Sequence, residues 1–171
     1  MGKKLPINRI IVIFEGDNMY KRKKIVALIL IIFWMMIIFV FSNMPSEVSD
    51  EKSRFVVNFI SMLGLDINGG FADVLNHIVR KSAHFTEYAI LFLLIFNLLK
   101  YYFKLTPGLI LSLIFVFLYA CTDEFHQLFV PGRAGKFTDV IIDTCGGAFA
   151  MILTYFYTTR IGHFSKRIRV F

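Results

Sequence analysis

Hydrophobic positions in this chain do not alternate with polar ones; they gather into four long runs separated by short polar clusters. Residues 25–41 (IVALILIIFWMMIIFVF) are almost purely aliphatic and aromatic, and the uncharged run continues to Ser46. A hydrocarbon layer about 30 Å thick takes around 20 such residues in a helix, so a spanning helix is predicted over residues 25–44. The basic leader Lys21-Arg22-Lys23-Lys24 also fits a signal peptide. The apolar run is longer than the usual signal core, however, and no small-x-small cleavage site follows, so a retained anchor is expected. Met19 stands directly before that leader, and residues 1–18 read as an upstream extension.

A second span is predicted over residues 82–99, polar at its start (SAHFTEY) and apolar afterwards. A third covers residues 105–122, with Pro107 in the first turn, where proline is tolerated. The fourth, residues 140–159, is interrupted by Asp143 and by Gly146-Gly147, small residues that admit a close neighbouring helix. A loop of roughly 38 residues separates the first two spans. Within it, residues 49–63 read as an amphipathic interfacial helix ended by Gly64. The fold class is therefore all-α: a polytopic membrane protein with a bundle of four transmembrane helices plus an extracellular interfacial helix. Residues 1–24 form a basic cytoplasmic segment, 25–159 the membrane domain and 160–171 a basic cytoplasmic tail.

Composition narrows the class further. Of 171 residues, 57% are hydrophobic and 18% charged, with 20 Phe and a mean hydropathy of +0.65. Soluble domains carry about 25% charged residues. A core of this size cannot hide so much apolar surface, which excludes a free soluble enzyme; the same hydrophobicity excludes disorder. Cys121 and Cys145 lie in apolar stretches and are expected to be small buried hydrophobes, with no disulfide framework.

Charge sets the expected orientation. Thirteen of the nineteen Lys and Arg precede the first span, follow the fourth or lie between the second and third, and only two of the twelve acids share that side. The positive-inside rule then places both termini in the cytoplasm. The net charge of +7 thus borders membrane ends and marks no basic groove, so no nucleic-acid partner is expected.

The residues that spoil the spans carry the chemistry. Arg80-Lys81-x-x-His84-x-x-Glu87-Tyr88 opens the second, Asp123-Glu124-x-His126-Gln127 closes the third, and Asp139-x-x-x-Asp143 opens the fourth. All three clusters fall at the external end of this topology, which implies one shared site. Arg80, His84 and Glu87, at i, i+4 and i+7, occupy one helix face. Asp139 and Asp143 are an i, i+4 pair of like charge, which repels on an isolated helix. Charges inside the bilayer are expensive, so His84, Glu87 and Asp143 are expected to have partners. Snorkelling accounts for long cations at helix ends but not for short acids such as Asp143.

Close carboxylates cannot all ionise in a poorly hydrated site, which makes Glu87, Asp123, Glu124, Asp139 and Asp143 candidate acids and bases. His84 and His126 are the alternative proton carriers. Arg80, Lys81 and Arg133 are candidates for holding a phosphate or carboxylate, with Tyr88 and Gln127 beside them; Arg133 can grip bidentately. Lys136 is a further cation in the same loop. Two His with several acids also form a conceivable divalent-metal set. No H-E-x-x-H or comparable spacing occurs, and no metal ligand or cofactor is assigned. Ser82, beside Lys81 and near His84, reads as a helix-capping serine rather than a nucleophile.

At these residues the chain resembles the VanZ-like family of bacterial membrane proteins. The matching text is Phe41-Ser42-Asn43-Met44-Pro45, then Arg80-Lys81-Ser82-Ala83-His84-Phe85-Thr86-Glu87-Tyr88. It continues with Asp123-Glu124-Phe125-His126-Gln127-Leu128-Phe129-Val130-Pro131-Gly132-Arg133 and closes with Asp139-Val140-Ile141-Ile142-Asp143-Thr144-Cys145-Gly146-Gly147. Coverage runs from about residue 22 to about 158. The family takes its name from a protein associated with low-level resistance to teicoplanin, a lipoglycopeptide acting on the cell wall. The resemblance implies a multi-pass protein of the bacterial plasma membrane, working in the cell envelope, with the matching polar residues as its functional centre.

Anionic headgroup, basic clamp and proton-transfer pair together point to an enzyme acting on an anionic lipid or lipid-linked glycan at the outer leaflet. Two alternatives stand beside it. One is a non-enzymatic protein that binds or shields an envelope lipid or the antibiotic. The other is a small transporter or flippase subunit coupled through Asp143 and Glu87, for which four spans would need a homo-oligomer.

Overall fold

The computed structural model describes residues 7–62 and 70–168. They form five helices: α1 (Ile7–Ser42), α2 (Ser46–Met62), α3 (Gly70–Leu99), α4 (Leu105–Gln127) and α5 (Phe137–Ile168). Among the described residues there is no strand. The stop assigned to Gly64 lies outside the described residues. Met19–Ser42, Gly70–Leu99, Leu105–Gln127 and Phe137–Arg160 are long and apolar enough to cross a membrane. These are the four predicted spans, set in an all-helical architecture.

The helices outrun the hydropathy limits. The α3 helix begins twelve residues before the predicted start at 82, and α4 continues five residues past 122. Hydropathy marks where a helix is apolar, whereas helix formation needs only backbone hydrogen bonds and tolerant side chains. Arg, Lys, Glu and Gln are good helix formers, so α3 and α4 carry their polar clusters in helical conformation. Ser82 consequently sits in the middle of α3, where its carbonyl accepts a 2.8 Å hydrogen bond from Thr86 Oγ1. That corrects its expected capping role.

The α3 helix is central: it packs against α1, α2, α4 and α5, with α5 its most extensive neighbour. The glycine pair accounts for the close seat of α5. A Cβ built on Gly146 would collide with the Phe85 carbonyl of α3, and one on Gly147 would press on Val116 of α4. Two missing side chains therefore seat α5 against both helices at once, as small residues do in membrane bundles. Gly146 and Gly147 take the inward positions, so the preceding Cys145 faces out and is exposed. This corrects its expected burial; Cys121 is partly buried.

The packed interior consists of Ile31, Ile38, Tyr88, Leu91, Phe92, Leu109, Val116, Ala120, Val140 and Ala150, contributed by all four spans. Outward faces are equally apolar, with Phe33, Met36, Phe115, Leu118, Ile152 and Phe156 exposed. Apolar area of that extent marks a lipid-facing surface. Polar links tie the helices within it: Trp34 Nε1 donates to the Glu87 carbonyl at 2.9 Å, and Tyr119 OH to the Met35 carbonyl at 2.7 Å. The α2 helix packs on the first turns of α3, burying Val57 and leaving Phe55, Phe59 and Met62 exposed.

Candidate functional site

Because the four spans run antiparallel in sequence order, the end of α1, the first half of α3, the end of α4 and the start of α5 share one end of the bundle. All three polar clusters lie there. Asp143 is 1% exposed, and Asp123, Glu124 and Gln127 are each at or below 5%. Tyr88 is fully buried beside them. Helical periodicity turns these side chains inward because the opposite faces of the same helices carry the lipid-facing residues, such as Phe125 and Ile141.

The centre of the site draws one residue from each of three helices. His84 of α3, Asp123 of α4 and Asp143 of α5 bring ligand-capable nitrogen and oxygen atoms within 4.8 Å of one another. Glu87, one turn beyond His84, places Oε2 3.7 Å from His84 Nδ1, beyond hydrogen-bond range. His84 Nδ1, Glu87 Oε2 and Asp143 Oδ2 are buried without a hydrogen-bond partner. His84 and Glu87 thus meet each other only in a long ion-pair contact, and Asp143 Oδ2 accepts no hydrogen bond. Asp123 is better served: Gln127 Nε2 reaches its Oδ2 at 3.5 Å and bonds Ser42 Oγ of α1 at 3.0 Å.

Around this centre the remaining candidates divide. Lys81 forms an ion pair with Asp139, which relieves the Asp139–Asp143 repulsion by giving the outer acid a cation from α3. Glu124 accepts a 2.8 Å hydrogen bond from the Lys136 backbone N–H, pinning the loop between α4 and α5. Gly135 lies so close to the Glu124 carbonyl that a Cβ there would collide with it. Arg133 donates from Nε to the Met44 carbonyl at 2.7 Å and from Nη2 to the Phe41 carbonyl at 3.2 Å. It thereby satisfies carbonyls left open at the end of α1. His126 packs its ring against Phe39, with centroids 4.7 Å apart, and is not one of the three residues whose donor atoms converge.

A polar cavity of about 540 Å³ opens beside these groups, lined by His77, Arg80, Lys81, Gln127, Arg133, Lys136 and Asp139 among others. Its lining is basic, while the buried group one helical turn below Arg80 and Lys81 is acidic. Sequence reasoning missed Ser42, His77 and Asn76. Ser42 is fully buried and bonded to Gln127; it lies in a matching motif, but its own position at a helix end assigns it no role. Asn76 and His77 precede the predicted span and were hidden by the assumption that α3 starts at 82. The three-helix centre had no spacing to reveal it, because its members lie 39 and 20 residues apart.

Fold and site together define a small multi-pass helical membrane protein whose buried ionisable side chains, among the described residues, gather at one end of the bundle. The VanZ/LLP1 family model matches residues 27–158, and the chain belongs to that family. The matched region runs from α1 into α5 and includes every residue of the polar end named above. No curated protein and no solved structure matches the chain.

Proposed function

We propose that this VanZ-family protein is an enzyme of the bacterial plasma membrane that acts on the phosphate-bearing headgroup of an anionic lipid or lipid-linked glycan. Both termini face the cytoplasm and the polar end faces outward. The single observation that carries the reading is the basic cavity set directly against a buried group of carboxylates and histidine. Arg80, Lys81 and Arg133 hold the anion, the Lys81–Asp139 pair opening to exchange one carboxylate for another oxyanion. Glu87, Asp123 and Asp143 supply the proton-transfer groups, with His84 as shuttle. The α2 helix lies on the membrane surface at this end, its exposed Phe55, Phe59 and Met62 turned to the acyl boundary. Family membership supports a role in the envelope related to lipoglycopeptide susceptibility.

Lipid mass spectrometry tests it. A deletion strain should accumulate one phosphate-bearing envelope lipid, and the same lipid should co-purify with the protein. Glu87→Gln retains size and deletes charge; it should accumulate in the membrane, still retain the lipid, and fail to restore the wild-type lipid profile. Full restoration by Glu87→Gln would favour a binder over an enzyme.

A further inference from the structure

We propose that His84, Asp123 and Asp143 form a binding site for one divalent transition-metal cation of the Zn²⁺ or Mn²⁺ type. The inference goes beyond the headgroup reading and does not depend on it. Three observations carry it. First, the three residues come from three different helices, so nothing in local helical geometry forces them together, yet their donor atoms lie within 4.8 Å of one another. Metal–ligand bonds to imidazole and carboxylate are about 2.0–2.2 Å long. Small side-chain rotations bring three such atoms onto one ion. Second, Asp143 is 1% exposed and its Oδ2 has no hydrogen-bond partner. A short buried acid in that state needs a cation or a proton, and the nearby lysine of α3, Lys81, is engaged with Asp139. Third, the charges balance: two carboxylates and a dication make a neutral buried unit, which removes most of the cost of holding two acids side by side.

The donor set names the metal class. One imidazole nitrogen with two carboxylate oxygens suits zinc or manganese better than calcium or magnesium, which favour oxygen-only shells. Three protein ligands leave a position open for water or a headgroup oxygen, as in catalytic zinc sites. Glu87, whose Oε2 lies 3.7 Å from His84 Nδ1, is close enough for a small shift to bring it within hydrogen-bond range of the imidazole once the ion is bound. In this assignment His84, Asp123 and Asp143 hold the ion in place of the proton-transfer roles given them above, and Glu87 alone keeps such a role.

The test uses the full, tag-free chain in detergent, stripped with chelator and titrated with Co²⁺ and then Zn²⁺, with no lipid added. The expected result is one ion per chain, a visible Co²⁺ absorption of nitrogen–oxygen ligation, and its loss on displacement by Zn²⁺. Asp143→Asn and His84→Gln should each weaken binding about tenfold or more, while Arg54→Ala, on exposed α2, should leave it unchanged. Substoichiometric binding by the wild type overturns the proposal, as does an Asp143→Asn variant that binds equally well. If the variants do not accumulate, carbethoxylation of His84 in the wild type decides: protection by Zn²⁺ supports the site, and equal modification with and without the ion overturns it. Because lipid is absent throughout, failure here leaves the headgroup reading intact, and failure of the lipid experiment leaves the ion site intact.

Discussion

The two ends of this bundle are built from the same four helices and treat polar groups in opposite ways. At the end that joins α3 to α4, the turn after Leu99 closes on itself: Tyr102 and Phe103 N–H groups both donate to the Leu99 carbonyl, at 2.9 and 3.0 Å. Buried Ser112 bonds back to the Gly108 carbonyl at 2.7 Å, and Thr154 to the Ala150 carbonyl at 2.7 Å. Phe92 and Phe96 of α3 stack on each other. At the other end, buried atoms of Asn76, His84, Glu87, His126 and Asp143 lack hydrogen-bond partners. One end follows the rule that buried polar groups are paired; the other suspends it. Local rules are broken mainly where a site needs unspent bonding capacity, and that capacity is concentrated here.

Four substitutions sharpen the contrast. The largest effect should come from Gly146→Ala, on the seam between the ends. The added methyl meets the Phe85 carbonyl, a backbone atom that cannot swing aside, so α3 and α5 must separate. A loss of about 3 kcal/mol or more is expected, read as collapse of membrane accumulation and of the detergent melting temperature. Next, Phe92→Ala removes a fully buried ring from the satisfied end and should cost about 3 kcal/mol in the same melting assay, through lost packing and a residual cavity. At the polar end, Arg133→Lys keeps the charge but loses the planar fork that serves the Met44 and Phe41 carbonyls. About 1–2 kcal/mol should go, and proteolysis should speed near the end of α1. Smallest in stability is Asp143→Asn: removing an unpartnered buried acid should leave the chelator-treated protein within about 1 kcal/mol of wild type, or raise it, while abolishing function. A large loss of stability there would show the acid to be a structural strut and erase the distinction between the ends.

The four spans, the shared polar end and the family were legible in the residues because each depends on local composition or on an ordered set of short motifs. Helix boundaries were less so: Asn76 and His77 lie in a stretch whose hydropathy looks like loop but whose residues tolerate helix. The loop position of Arg133 suggests an anion clamp but gives no hint of the two carbonyls it also serves on α1, 89 and 92 residues away.

What the sequence alone determined, then, is which faces and ends of each helix are polar, since a period of 3.6 residues relates side chains within one helix. What only the tertiary structure decided is how the helices are rotated and shifted against one another. The close seat of Gly146 on Phe85 and of Gly147 on Val116 sets that relation. It brings single residues from α3, α4 and α5 to one point, because helix docking depends on the shape of the whole interface and not on any local spacing.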